Sequence, residues 1–330
     1  MTHASDVLTK ARCRGLVLAA CGWLALAGTA MAQDAPFPSK PTRIVIPTAP
    51  GGNLDLMTRL VAEKLQAAWG QPVLVEAKPG ANTMLATTAV AKSPADGYTA
   101  LSTISGLVQN LVLRSDVPYK LSELTPVSMV ASFPIVLAAN ANLPANTLGE
   151  VVKAAKEAPG KMSFGSYGVG SGGHIIGEGL NKLAGTDIRH VPYKGEAAEL
   201  PDLISGQIQL GYGSVGFFAR QVPKIKLIAV ASPQRLKDFP DVPTFAEAGY
   251  ADVNLPGWGG MFLPAGTPQP IVDKWVSEVR RIVAMPDVQK RILEMGFVPV
   301  GNSGAEFAKD IAADLQKWGT VVRANNIKLE

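Results

Sequence analysis

Four stretches of this 330-residue chain put glycine backbone where an apolar run gives way to a helical pattern. They are Ala49-Pro-Gly-Gly-Asn53, Lys78-Pro-Gly-Ala-Asn82, Ser166-Tyr-Gly-Val-Gly-Ser-Gly-Gly173 and Tyr193-Lys-Gly-Glu196. A helix start leaves up to four backbone N–H groups without partners and carries a partial positive charge. Glycine removes the side chains that would keep a ligand away from those groups. The natural guest is a carboxylate or a similar anion. Gly and Pro are also ordinary turn residues, and Asn53 and Asn82 suit plain N-caps. Any one turn therefore reads as structure, whereas four of them, two in each half of the pattern, read as the walls of a cleft.

Other chemistries lack parts. After the first 32 residues the only histidines are His174 and His190, with no H-E-x-x-H and no metal-ligand spacing. No G-x-S-x-G is present for a hydrolase elbow. Gly168-Val-Gly-Ser-Gly-Gly173 satisfies G-x-G-x-x-G, yet the next strand ends Val-Pro-Tyr-Lys194, without the acid that a dinucleotide ribose requires. A Ser–His pairing such as Ser171 with His174 would be a nucleophile and base, but the sequence offers no support for a third member. His174 otherwise suits a helix start, and His190 a strand. Trp258 divides evenly between core and cleft wall, while Tyr167 and Tyr193 fall inside two of the turns. Asp55 stands in a first helical turn with Arg59 four residues on, and Lys78 is a solvated lysine or a cation for an anion.

The first 32 residues read as an export signal: Lys10, Arg12 and Arg14, then an apolar run from Gly15 to Gly28, then Ala30-Met-Ala32 before Gln33. Leu18-Ala-Ala-Cys21 also matches a lipoprotein box, but the apolar stretch before it is short, which favours a soluble exported protein. Both cysteines, Cys13 and Cys21, lie in this segment, so the mature chain has neither thiol nor disulfide. Removing the segment's three basic residues and one acidic residue from the totals of 31 and 27 leaves 28 and 26. A charge so near balance, with no long basic run, makes nucleic acid and anionic lipid surfaces poor candidate partners.

The elements that must carry the turns alternate. Strands are predicted over 43–47, 72–77 and 98–103, with helices over 56–69 and 83–92 between them. The stretch 124–140 is long, apolar and broken at Pro134, as a crossing between lobes would be. A second series follows, with helices over 148–157, 172–183 and 197–205. Its strands cover 161–166, 188–193, 207–211 and 227–230. A Pro/Gly-rich return leads to helices over 270–284 and 305–325. Such alternation predicts an α/β fold with mostly parallel sheets, divided as 33–134, 135–257 and a returning 258–330.

Several motifs occur together and in order. They include R-I-V-I-P-x-A-P-G-G-x-x-D-x-x-x-R (Arg43 to Arg59), V-E-x-K-P-G-A-N (Val75 to Asn82) and P-A-D-G-Y-T-x-L (Pro94 to Leu101). Further on stand F-G-S-x-G-x-G-S-x-x-H (Phe164 to His174), V-P-Y-K-G (Val191 to Gly195) and W-x-G-x-F-x-P-x-G-T-P (Trp258 to Pro268). In these the chain resembles the Bug family, extracytoplasmic solute receptors of tripartite tricarboxylate transporters. The resemblance implies a two-lobed periplasmic binding protein of type II-like form, with two crossover strands as the hinge, closing on a small organic carboxylate. It places the first lobe's contacts at Pro50, Gly51, Gly52 and Asp55 and at Gly80, Ala81 and Asn82. The second lobe contributes Tyr167 to His174 and Tyr193 to Gly195. The candidate set is completed by Asn53, Ser105 and Gln209, and within the second lobe it comprises Tyr167, Gly168, Gly170, Ser171, Gly172, His174, Tyr193 and Gly195.

The chain departs from the family pattern where Asn53-Leu54 and Asn82-Thr83 replace positions often held by Gly or Thr and by Gly-Gly. Ala77 stands where Asn is frequent, and Gln209 where Asp is common, which disfavours an amine-bearing ligand. The expected protein is a monomeric periplasmic receptor, not an enzyme, without cofactor or metal, delivering its solute to membrane permease subunits. The alternatives are a secreted hydrolase or transferase using Ser171 and His174, and a receptor feeding a membrane sensor.

Overall fold

The computed structural model describes residues 37–324. The segment expected to be an export signal, with Cys13 and Cys21, lies outside the described residues. Among those described, no helix is long and apolar enough to cross a membrane.

Two sheets organise the chain. The first has the order β11-β4-β10-β3-β1-β2, built from β1 (Thr42–Ile46), β2 (Val73–Ala77), β3 (Thr99–Ile104), β4 (Leu124–Phe133), β10 (Gly257–Pro264) and β11 (Val298–Pro299). The second has the order β7-β6-β8-β5-β9, from β5 (Ile135–Asn140), β6 (Ser163–Ser166), β7 (Arg189–Pro192), β8 (Leu210–Ser214) and β9 (Ile225–Ala231). Strands β1, β2 and β3 are parallel neighbours, as are β6, β7 and β8, whereas β10 and β5 run antiparallel beside them. The predicted α/β architecture of two lobes is what forms.

The register fixes where the turns point. Only Pro134 separates β4 from β5. Phe133 pairs with Gly257, and two residues along β10 Gly259 pairs with Ile104, the end of β3. Across the crossing, Ile135 pairs with Ser214, the end of β8. Ser166 lies opposite both Tyr212 and Pro192. The carboxyl ends of both parallel sets therefore open toward the Pro134 crossing, and ligands bind beyond the carboxyl ends of such strands. The chain returns after β9, whose Ala231 also lies beside Ile135.

Helices follow the strands: α1 (Asn53–Trp69), α2 (Met84–Ala91), α3 (Gly106–Leu113), α4 (Leu148–Glu157), α5 (Gly172–Ala184), α6 (Glu196–Ser205), the single turn α7 (Val215–Phe218), α8 (Gln269–Val283), α9 (Pro286–Glu294) and α10 (Gly304–Ala324). In α1 the buried Leu54, Met57, Val61 and Leu65 repeat at helical spacing, and Gly70 ends the helix in a left-handed conformation, its N–H donating to Gln66 O. Helix α10 contacts α3 and β4 in the first lobe and α5 in the second, so it rests on both lobes. Trp258 is a core residue: it is 2% exposed, meets Phe307 edge to face at 5.1 Å, and donates from Nε1 to Asp314 at 2.6 Å.

Three differences from the sequence expectation have physical causes. The strand expected over 207–211 begins three residues later, because Gln209 is held in the preceding bend by Ser163 and Gly206. Helices α3 and α9 were not anticipated. Each is short, and α3 is apolar on most sides, so it shows no helical period to read. The return path over 255–268 contains β10, whose glycines Gly259 and Gly260 leave room for Phe133 and Phe307.

Candidate ligand-binding site

The turn after β1 exposes Pro50, Gly51, Gly52 and Asn53. Gly52 is the N-cap of α1, and no side chain caps that helix. Its first-turn amides are thus left to a ligand or water. Gly51 sits at φ +85°, where a side chain would be strained, and its N–H donates to Asp55 Oδ2 at 2.8 Å. Asp55 is 2% exposed, and Arg59 Nε lies 2.9 and 3.0 Å from its two oxygens. Burial alone would raise the Asp55 carboxyl, but the Arg59 bond and charge and the Gly51 N–H outweigh it and hold the group below its ordinary range. Asp55 is thereby a charged strut beneath the turn rather than a group facing the opening.

The turn after β2 is stranger. Gly80 has φ +138°, and Ala81, Asn82 and Thr83 follow at φ +48°, +44° and +80°. A non-glycine residue held in such a region costs on the order of 1–3 kcal/mol, most for a β-branched one. Neither Gly80 nor Thr83 makes a side-chain cap bond to the helix starts that follow. The Asn82 side chain does not extend into the opening; its Nδ2 donates back to Asn110 Oδ1 at 3.1 Å. Ser105, at the end of β3, is 6% exposed and its N–H donates to Trp258 O. Lys78 is paired with Glu76 at 2.8 Å, so it is not a free cation for the site.

In the second lobe the turns differ. Helix α5 is capped by its own residues: Ser171 Oγ accepts from His174 N at 3.4 Å, and the Tyr167 hydroxyl accepts from Gly173 N at 3.3 Å. His174 Nδ1 accepts from Gly170 N at 3.0 Å. The Gly168 and Gly170 backbone carries positive φ, and Gly172 leaves room for Ile135 and the Tyr167 hydroxyl. Helix α6, by contrast, starts at Gly195 (φ +100°) with no side-chain cap. Its first turn contains two acids. Glu199 is pushed up to about 9, first by burial and then by Glu196, so it is neutral at pH 7. Burial also raises Glu196, which accepts from Ser214 N and Oγ at 2.6 and 2.8 Å. A neutral Glu199 does not oppose an anion at this helix start. Tyr193 turns away from the opening, its hydroxyl donating to Asp202 at 2.7 Å.

Gln209 does not join the others. It lies before β8, tied to Ser163 N at 2.9 Å, at the opposite end of the sheet from the turns. The inference about amine recognition drawn from it therefore lapses.

The proposed Ser171–His174 pair does not form, because Ser171 Oγ faces the His174 backbone and the ring nitrogen Nδ1 is occupied. A different pair exists. Ser166 Oγ lies 2.8 Å from His190 Nε2 and donates to Gly168 O, so His190 donates to it. His190 stacks on His174 with centroids 4.0 Å apart and planes at 13°. With Glu178, the two rings bring ligand atoms within 4.8 Å of one another. These donors do not suit a metal ion. The Gly170 N–H fixes the His174 proton on Nε2, and in-plane lone pairs of parallel rings cannot converge on one ion.

Burial lowers His174 to about 4. Burial, then the neighbouring His174, lowers His190 to about 3. Both are neutral when folded and bind protons near pH 6.5 when unfolded, so their contribution to stability is intact above 6.5 and falls as pH drops toward 4. Glu199 acts in the opposite sense, so the whole profile is compound. The variant His190→Asn isolates one share: its Tm relative to the unmodified protein should rise as pH goes from 7.5 to 5. A difference in Tm that is constant with pH would show that His190 is not held neutral.

Residues 57–327 match the family described as tripartite tricarboxylate transporter family receptor. The chain belongs to this family. Its relatives match it along nearly its whole length. It is 33% identical to Protein BugT of Bordetella pertussis over 314 residues, 93% of this chain and 96% of that protein. That relationship bears out the Bug-family resemblance read from the motifs. Among solved structures, an R. palustris protein with adipate is 28% identical at a TM-score of 0.79, covering 88% of this chain and 99% of that one. MatC from Rhodopseudomonas palustris, with bound malate, is 29% identical at a TM-score of 0.75, covering 87% and 100%.

Asn110 is the site-associated residue that the sequence reading missed. The available signal was one asparagine inside the apolar run G-L-V-Q-N-L-V-L, since a polar side chain buried in such a helix needs a partner.

Proposed function

We propose that the chain is a periplasmic receptor that binds a small organic carboxylate between its lobes and delivers it to membrane permease subunits. The observation that carries this reading is the pair of uncapped helix starts, at Gly52 and at Gly80–Thr83, side by side at the carboxyl ends of β1 and β2. Pro50, Gly51, Gly52, Asn53, Gly80, Ala81 and Asn82 form the primary seat, with Asp55 beneath it. Ser105, as a buried neighbour, completes that wall. The second lobe, whose α5 amides are largely spent on Ser171 and Tyr167, closes over the solute with Gly168, Gly170, Gly172 and the uncapped α6 start at Gly195. Adipate and malate in the two R. palustris proteins support a carboxylate of that size here. The hinge is Pro134 and the return near 257, which divide the mature chain as 33–134, 135–257 and 258–330. The receptor acts as a monomer. Closure is a population shift, driven by a ligand that touches both lobes at once.

The test is a thermal-shift panel on ligand-stripped mature protein, with aliphatic di- and tricarboxylates, aromatic acids and amino acids. An acid at 100 times its Kd adds about 2.7 kcal/mol, which raises Tm by several degrees. At least one carboxylate should do so and be recovered unchanged. A panel in which no acid shifts Tm, or in which a compound is consumed, overturns the reading.

A further inference from the structure

We propose that Asn110 is a positioning residue for the first-lobe seat: its buried amide latches Ala81–Thr83 in the left-handed backbone that shapes that seat. The inference rests on the carboxylate reading above for the use of the turn, but the latch itself stands on geometry. Three consecutive non-glycine residues have positive φ, and one is a threonine. Local preference opposes this arrangement, since alanine and threonine leave the left-handed region when nothing holds them. A tertiary contact must supply the hold.

Asn110 is positioned to do so. It lies on α3, completely buried, and meets the turn at three atoms. Its Nδ2 donates to Asn82 O at 2.6 Å and reaches Thr83 Oγ1 at 3.4 Å, while its Oδ1 accepts from Asn82 Nδ2 at 3.1 Å. The amide is braced from behind by the Tyr119 hydroxyl at 3.5 Å, which in turn donates to Leu107 O at 2.6 Å. Gly106, at the start of α3, lets the turn approach: a Cβ there would lie 3.0 Å from both Asn82 Oδ1 and Thr83 Cγ2. Glycines at 81 and 83 would adopt the same φ without help. This chain has Ala and Thr instead, so the shape of its seat depends on one buried side chain.

The experiment compares Asn110→Ala, Ala81→Gly/Thr83→Gly, and the triple variant. Each is titrated calorimetrically with adipate and with malate, and the ligand-free crystal structures of the unmodified protein and Asn110→Ala are solved. Asn110→Ala should weaken binding by about tenfold or more and return Thr83 to negative φ. Adding the two glycines should restore affinity to within about threefold, although Tm stays depressed by the hole at position 110. A purely structural asparagine would give a Tm loss that the glycines do not separate from affinity. Unchanged Thr83 φ in Asn110→Ala, or no rescue by the glycines, overturns the latch. Should neither acid bind the unmodified protein, the carboxylate reading is what suffers, and the Thr83 conformation in Asn110→Ala still decides the latch. Because Asn110→Ala leaves a buried hole, Asn110→Asp serves as the second variant. It keeps the shape and the acceptor but loses the donor to Asn82 O, and it should also release the turn.

Discussion

Gly52→Val should weaken carboxylate binding by about 30- to 100-fold, roughly 2–2.7 kcal/mol, while lowering Tm by no more than about 3 °C. Gly52 has φ −75° and ψ 165°, a conformation any residue adopts, and a Cβ there would meet only Ala49 O at an ordinary 3.6 Å. Valine is a poorer N-cap than glycine, which sets a stability loss of no more than about 1 kcal/mol. What valine removes is the approach of an anion to the first-turn amides of α1. The measurement is a calorimetric titration with the acid that gives the largest thermal shift, alongside ligand-free Tm. Equal affinity in the variant would falsify the seat. Gly51→Ala is the useful contrast: its φ of +85° strains any side chain, so affinity and Tm should fall together.

Asp55→Ala should lower ligand-free stability by about 2 kcal/mol, seen as a Tm loss of roughly 4–8 °C, and reduce affinity as well. The buried carboxylate joins the Gly51 N–H to Arg59, so alanine leaves the turn without its strut and the amide without its acceptor. Arg59 is half exposed and regains water, which keeps the loss below that of a fully buried pair. The pH dependence has a definite sign. Asp55 is held below its ordinary range when folded, so its contribution is complete above the unfolded value of about 3.9 and is lost as pH falls through the folded one. The Tm gap between the two proteins should stay constant from pH 7 to about pH 5 and close only in stronger acid. A gap already closing at pH 6 would mean that Asp55 is not the charged strut described.

The two effects separate the roles within one turn. Gly52 matters through what it lacks, and Asp55 through what it holds. Neither residue needs a side chain directed at the solute.

Much of this was legible in the chain itself. The alternation of short apolar runs with helical spacing gave the α/β class, because a buried parallel strand and an amphipathic helix have different periods. Pro134 marked the crossing, since proline has no N–H to give to a ladder and here falls within one long apolar run, and the structure changes sheets there. The glycine turns announced helix starts after strands. The Asp55–Arg59 pair followed from a spacing of four on one helix.

Tertiary structure alone decided the rest. Whether a helix start is open depends on which side chain reaches it. Ser171 and Tyr167 reach the start of α5, while no side chain caps α1, although both turns carry glycines. Gln209 fell at the wrong end of the sheet because a bend delayed β8, and strand limits are set by pairing partners rather than by composition. Thr83 sits at φ +80° against its own preference because Asn110, 27 residues away, holds it there. Local sequence sets what each residue prefers, and contacts between distant residues decide which preferences are overruled.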